Sequence, residues 1–202
     1  MCSIVKHLKK LQTFVVQSPG KNFLLRANNS PVFKLPSVTH LSITFFLISE
    51  VFEIGDLSFN VPHLEWLTLH GYHGHDRIFN FIKRFEKLKI LELFAKDYNL
   101  VECIEKLKHI KEFTTDFSEN RFDSLKNVFK NFDKKSKLQT FRFVHSDESL
   151  YQKYEKPMKK FNIYLKNSMK PTWTLSQEKR VERGEIYLMF SREPCSCKSC
   201  EE

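Results

Sequence analysis

Glycine is scarce in this sequence, with only five among 202 residues. Loops that cradle phosphate need several glycines close together, because the backbone must approach the ligand and adopt positive φ angles. No such cluster occurs, and neither a nucleophile elbow nor a metalloprotease helix is present. The sequence therefore predicts a protein that is not an enzyme and that binds no cofactor.

Long hydrophobic runs are also lacking. Apolar segments such as Phe45–Ile48 fall far short of the ~20 residues that a membrane-spanning helix requires. The first residues include a lysine and lack the apolar core of a secretory signal. We expect no membrane association and a cytoplasmic or nuclear location.

Cysteine is sparse and unevenly placed. Cys2 and Cys103 stand far apart, so the sequence offers no local disulfide framework and favours a reducing compartment. Cys195, Cys197 and Cys200 crowd a C-terminal tail, residues 193–202, that we expect to be flexible. Their spacing could serve a soft metal, but a tetrahedral zinc site needs a fourth ligand that the neighbouring residues do not supply. No metal site is predicted.

What the sequence does contain is a repeated apolar signature, Leu-x-x-Leu-x-Leu with substitutions. Its first positions are Leu11, Val38, Leu64, Leu88, Ile110 and Leu138. They lie 27, 26, 24, 22 and 28 residues apart, within the range of roughly 20 to 29 residues of leucine-rich repeats. The spacing predicts an α/β leucine-rich-repeat solenoid, a right-handed horseshoe of about six to seven irregular repeats.

Each repeat is predicted to contain a strand and then a helix. Alternation places Leu67 and Leu69 on the inner side of a strand, so that the residues between them point outward. After the strand, apolar residues recur every three to four positions, which is typical of amphipathic helices. Asp76 and Asp97 precede the first two of these segments and are expected to cap them.

The domain boundaries follow from this pattern. Residues 1–192 form the predicted repeat domain, with irregular repeats over 4–63, regular repeats over 64–167 and a strand or hairpin cap over 172–192. In the last regular repeat, Pro157 suits the first turn of a helix whose apolar face includes Met158 and Phe161. Extended or irregular connectors are expected within the first two repeats.

The stretches His63-Leu-Glu-Trp-Leu-Thr-Leu69 and Lys87-Leu-Lys-Ile-Leu-Glu-Leu93 carry a family resemblance. The chain resembles the repeat half of F-box and leucine-rich-repeat proteins, in the degenerate, Phe-rich form found in invertebrates. The resemblance implies a domain that captures a protein for a cullin-based ubiquitin ligase. The ligase adaptor is an expected partner only if an F-box lies upstream of Met1. A stand-alone repeat scaffold is the alternative.

Outward positions of the predicted strands are the candidate partner-binding residues on the expected concave face. They are Trp66, Thr68, His70, Ile90, Glu92, Phe94, Glu112, Thr114, Thr140, Arg142 and Val144. Aromatic residues rimmed by charge are typical of protein interfaces. The alternative is that some of these side chains are buried against the irregular first repeats or the C-terminal segment.

A group of histidines and the net positive charge suggest metal or nucleic-acid binding, but each has a simpler explanation. His63, His70, His73 and His75 with Asp76 could ligate zinc, but Gly71 and Gly74 indicate a flexible loop, which is unsuited to fixed metal geometry. The net charge of +9 comes mostly from scattered lysines, which usually mark solvated faces. The sequence therefore argues against nucleic acid as the main partner, and a basic RNA-binding solenoid remains an alternative.

Overall fold

The computed structural model describes most of the chain in separate stretches. These are residues 10–18, 32–45, 58–73, 75–96, 98–116, 124–125, 127–129, 137–145, 148–168, 173–180 and 185–192. The cysteine-containing tail lies outside them.

Ten strands form two sheets in the described part of the chain. The strands are β1 (Thr13–Ser18), β2 (Val32–Lys34), β3 (His40–Phe45), β4 (Ser58–Asn60), β5 (Trp66–His73), β6 (Ile90–Lys96), β7 (Glu112–Asp116), β8 (Thr140–His145), β9 (Trp173–Arg180) and β10 (Glu185–Arg192). The main sheet is open and has the order β1-β3-β5-β6-β7-β8-β10-β9, and β2 pairs with β4 in a small separate sheet. The protein therefore has an α/β fold whose main sheet is mostly parallel.

Helices occupy parts of the connections between strands. They are α1 (His75–Ile82), α2 (Leu100–Lys106) and α3 (Glu148–Ser168), and residues 124–125 and 127–129 are also helical. Within the described ranges, no helix is both long and apolar enough to span a bilayer.

The apolar signature sets the register of the main sheet. Leu41 pairs with Leu67, Leu67 with Leu91, Leu91 with Phe113, and Phe113 with Phe141. The second signature residue of each unit therefore lies beside that of the next, as the predicted parallel stack requires. This register buries the signature side chains on one side of the sheet, since alternate residues of a strand share a face.

Backbone hydrogen bonds repeat with the same period as the sequence. In the main sheet, one carbonyl ahead of each of β1, β3, β5, β6 and β7 accepts the two successive N–H groups that enter the neighbouring strand, from β3 to β8. The accepting carbonyls belong to Gln12, Thr39, Glu65, Lys89 and Lys111, and the first donor of each pair to Thr39, Glu65, Lys89, Lys111 and Gln139. The intervals between acceptor and donor are the same 27, 26, 24, 22 and 28 residues that separate the signatures.

A tight turn ahead of four strands repeats as well. The first signature residue donates its N–H to the carbonyl three residues earlier, in the pairs Val38 to Leu35, Leu64 to Val61, Leu88 to Phe85 and Ile110 to Leu107. All eight side chains are buried. The chain thus enters these strands through one kind of apolar turn, which the alternating pattern alone does not predict.

The core lies between the inner side of the main sheet and the helices. Leu67, Leu91 and Phe141 belong to the same buried cluster as Ile78 of α1 and Leu100 of α2. The apolar helix face predicted around Met158 and Phe161 is confirmed, since both are buried in α3. Each strand and the helix beside it therefore share apolar surface, as expected for units that cannot bury their own faces alone.

Phenylalanine fills the C-terminal half of this core. The Phe129 ring contacts those of Phe141, Phe161 and Phe190, with centroid distances of 6.4, 5.7 and 5.3 Å. It also meets Trp173 edge to face at 5.1 Å. Aromatic rings therefore make up much of the core where β8, α3, β9 and β10 meet.

The predicted helix caps were wrong in position. Asp76 lies inside α1, which begins at His75, and Asp97 lies outside the described residues. The cap of α2 is Asn99, whose Oδ1 accepts hydrogen bonds from the N–H groups of Val101 and Glu102. Asparagine is as good an N-cap as aspartate, so residue type alone did not choose between neighbouring positions.

The C-terminal segment differs from its prediction in one respect. Pro157 lies within α3 and not in its first turn, so Glu148–Ser168 is one helix. The predicted pair of terminal strands is confirmed as β9 and β10, which run antiparallel to each other. β10 also pairs antiparallel with β8, which reverses the strand direction at this end of the sheet.

Candidate functional site

The side of the main sheet that points away from the core is called the outward face here. Its residues form three rows that run across β3, β5, β6, β7 and β8. The first row is His40, Trp66, Ile90, Glu112 and Thr140; the middle row is Ser42, Thr68, Glu92, Thr114 and Arg142; the third is Thr44, His70, Phe94, Asp116 and Val144. All eleven predicted contact residues lie on this face.

Two stacked aromatic pairs bridge neighbouring strands of the outward face. His40 stacks on Trp66 with ring centroids 4.3 Å apart and planes 9° from parallel. His70 stacks on Phe94 at 4.4 Å and 13°. One pair belongs to the first row and the other to the third, so flat rings stand on both sides of the middle row. Such cross-strand aromatic pairs stabilise a sheet and hold each other in place.

A hydrogen-bonded chain crosses three strands between these pairs. Thr68 Oγ1 donates to Glu92 Oε2 at 2.9 Å, and His40 Nε2 lies 3.4 Å from the same hydroxyl oxygen. Because the hydroxyl has one proton, which goes to Glu92, His40 donates from Nε2. The neutral imidazole therefore carries its proton on Nε2, and the Glu92 carboxylate is held in a defined orientation.

An ion pair lies at the β7–β8 end of the outward face. Arg142 Nη1 donates to Glu112 Oε2 at 2.7 Å, and both side chains are only partly exposed. Residues 112 and 142 belong to neighbouring strands, so this pair links β7 to β8. The charge of Glu112 is therefore compensated within the sheet.

Burial lowers the pKa of both histidines on the outward face. For His40 and His70, loss of hydration on burial lowers the pKa, and the negative charge of Glu92 partly offsets this by raising it. Desolvation is the larger cause in both cases. The neutral imidazoles therefore predominate at neutral pH and do not compensate the Glu92 charge.

Trp66 leaves one hydrogen-bonding group unsatisfied. Its Nε1 atom is inaccessible to solvent and has no acceptor among the described residues. An unpaired buried donor costs ~1–3 kcal/mol. The indole is therefore held at this position at some cost in stability.

Most predicted contact residues are half-buried, but two are not available as contacts. Thr68 and Thr114 are 5% and 3% exposed. These two threonines therefore offer little surface to a partner, and the hydroxyl of Thr68 is already engaged with His40 and Glu92. His40, Ser42, Thr44 and Asp116 also lie on this face and were not predicted. The alternation in the second repeat, which places Leu41 and Ile43 inward, could have identified the first three.

The histidines considered as zinc ligands make separate contacts where their side chains are described. His63 Nδ1 accepts a hydrogen bond from Lys87 Nζ at 3.1 Å, whereas His70 stacks on Phe94. Among the described residues, no group of three His, Cys, Asp or Glu is arranged to hold a metal ion. Gly71 is part of β5 and not of a loop; its φ of 76° lies where the register with β6 shifts.

Comparison with known proteins found no relative. No protein-family model, no curated protein and no solved structure matches this chain.

Proposed function

We propose that the chain is a leucine-rich-repeat solenoid and that its outward face binds another protein. The repeat of backbone hydrogen bonds at the intervals of the sequence signature supports the solenoid. Solenoids of this kind present their strands as one extended binding surface. The proposed face is the row of parallel strands from β3 to β8.

The arrangement of the outward face is the observation that carries this function. Trp66, Ile90 and Phe94 are only partly buried, although each is large and apolar. Half-exposed aromatic residues fixed by stacking are typical anchors of protein interfaces, because they bury much apolar area with little loss of conformational freedom. Glu92 and Arg142, which are partly exposed between and beside them, provide polar groups that give specificity.

We further propose a role in a ubiquitin ligase. In this role, the partner is a protein to be ubiquitinated, and an F-box joined to this domain docks on the adaptor of a cullin-based ligase. The support is the likeness of the repeats to the substrate-capturing half of that family. Immunoprecipitation of the endogenous protein should recover the adaptor and the cullin. Their absence would leave a stand-alone binding scaffold.

The experiment for the binding face places a photo-crosslinking amino acid at Ile90 on β6. The matched control is the same amino acid at Ile163, a 61% exposed residue of α3. We expect a protein crosslink in cells from position 90 and not from position 163. Equal crosslinks from both positions, or crosslinks to RNA, would contradict a protein-binding outward face.

A further inference from the structure

The strand β1 lies at one edge of the main sheet. β3 pairs with one side of it, and no strand in the described ranges pairs with the other side. An edge strand presents a row of backbone N–H and C=O groups to which a further strand can bind. The outer edge of β1 is therefore a place where the sheet can be extended.

β1 lacks the features by which edge strands usually avoid association. Its sequence, Thr-Phe-Val-Val-Gln-Ser, contains neither a charged residue nor a proline, and its register with β3 is regular. Charges, prolines and bulges are the common means of protecting an edge. The strand at the opposite edge, β9, contains Glu178, Lys179 and Arg180. Of the two edges of the main sheet, that of β1 is therefore better suited to pairing with another strand.

Apolar side chains of β1 are also less well covered than their equivalents in β3. Phe14 and Val16 are in register with Leu41 and Ile43, which are 0% and 1% exposed. Phe14 and Val16 pack against the same core but remain partly exposed. On the other side of the strand, Val15 is 53% exposed. A strand placed beside β1 therefore buries apolar surface on both sides of the sheet, which favours association.

The edge of β1 is complementary to a second copy of itself. Two antiparallel copies that meet about a two-fold axis at Val15 place that residue opposite its own equivalent, and Phe14 opposite Val16. Opposite residues of an antiparallel pair lie on the same face, so the core-facing residues of the two copies meet each other. No charged residue of β1 takes part, and the Lys10 residues of the two copies lie at opposite ends of the pairing. The high net charge of the chain therefore does not act at this contact.

We propose that β1 pairs with β1 of a second copy of this chain, antiparallel and about a two-fold axis at Val15. Such a contact uses the same surface on both copies, as in the commonest type of protein dimer. It joins the two main sheets edge to edge and places both outward faces on one side of the combined sheet. The inference does not depend on the proposed partner binding. Where both hold, the dimer presents two equivalent binding faces, which strengthens binding to a partner with repeated sites.

Sedimentation equilibrium of the full-length protein over a range of concentrations measures this association. A reducing agent is present throughout, because the five cysteines of the chain could otherwise form disulfide-linked dimers. Two variants, Val15→Lys and Val15→Asp, place a charge at the position that meets its own equivalent. Ile163→Lys is the matched control, since Ile163 is a 61% exposed residue of α3. Thermal unfolding establishes that each variant is folded.

We expect the unaltered protein and Ile163→Lys to dimerise with the same affinity. Val15→Lys and Val15→Asp should each weaken dimerisation at least about tenfold, because two like charges then lie directly opposite each other. An equimolar mixture of these two variants should dimerise more tightly than either alone, because opposite charges then meet. This recovery is specific to a pairing in which residue 15 faces its own equivalent.

A monomer at every concentration would overturn the inference, and is the result expected if another segment of the same chain covers β1. A dimer that is insensitive to Val15→Lys would overturn it too, because the contact would then lie elsewhere. A mixture of the two charged variants that dimerises no more tightly than either alone would exclude the two-fold pairing at Val15. None of these results bears on the crosslink from position 90, so the proposed function is tested separately.

Discussion

Trp66 combines a stacked ring with an unsatisfied hydrogen-bond donor on the outward face. Its ring stacks on His40, while its N–H group is buried without an acceptor in the described part of the chain. A phenylalanine there would keep an aromatic stack and remove the unpaired donor. An alanine would remove both.

We therefore predict that the two substitutions at residue 66 differ. Trp66→Phe should change the free energy of unfolding by less than about 1 kcal/mol, because the lost apolar area is offset by removal of the unsatisfied donor. Trp66→Ala should cost about 2 kcal/mol, roughly half the cost of truncating a fully buried tryptophan. Urea unfolding measures both. Equal losses would mean that the indole N–H is satisfied in the folded protein.

A second residue-scale prediction concerns pH. The folded-state pKa values of His40 and His70 are lower than their ordinary value of about 6.5, so the unfolded chain takes up protons first as the pH falls. Their contribution to stability is complete above pH ~6.5 and is lost below it. The urea midpoint should therefore decrease between pH ~7 and pH ~5.

The double variant His40→Gln, His70→Gln isolates this effect. Its urea midpoint should vary less with pH over the same interval than that of the unaltered protein. Some variation should remain, because burial and the charge of Lys137 also lower the pKa of His109. An unchanged pH dependence in the double variant would contradict the assignment of the effect to the outward face.

Residue type and alternation identified which residues lie on the outward face, but not how exposed each side chain is. Trp66 and Ile90 could be assigned to one side of the sheet because they alternate with buried leucines. The exposure of a side chain does not follow from this alternation. Thr68 is covered by neighbours on other strands, and those neighbours become adjacent only after the sheet has formed.

At the level of elements, α2 depends on a cap, Asn99, that lies two residues after the expected Asp97. Asn99 accepts two of the N–H groups that a helix leaves unpaired at its start. A short helix such as Leu100–Lys106 is marginal without tertiary contacts and such a cap.

We predict that Asn99→Ala lowers the free energy of unfolding by about 1 kcal/mol, the usual cost of losing an N-cap. Asn80→Ala is the matched control, since Asn80 is an exposed residue inside α1, where alanine is the better helix former. Chemical unfolding of the two variants measures the difference. Equal effects would show that Asn99 does not cap α2 in solution.

Strands were predicted better than helices and their ends. Each strand of the repeat carries an alternating pattern that local sequence suffices to define. The position of Pro157 was misjudged, because the helix already begins at Glu148 and continues through a residue without an N–H group. Thr115 occupies a leucine position and is buried, where Tyr98 and Asp116 provide hydrogen-bonding partners that the pattern could not reveal.

For the whole molecule, the period of the sequence and the period of the backbone hydrogen bonds coincide. Each unit adds one strand to the main sheet and one set of outward side chains to a common surface. The antiparallel β9 and β10 end this series, and their pairing with β8 depends on long-range contacts that no local pattern specifies. The shape of the surface is thus a property of the repeats, and its chemistry a property of a few residues on β3, β5 and β6.

The most direct test of a protein-binding outward face uses the two tryptophans of the chain. Trp66 lies on that face, and Trp173 is 1% exposed in the core. With 5-fluorotryptophan in both positions, Trp66→Phe assigns the two fluorine NMR signals. Addition of the protein captured by the crosslink at position 90 should shift the Trp66 signal and leave that of Trp173 in place. A Trp66 signal that does not move when the partner binds would contradict the proposed face.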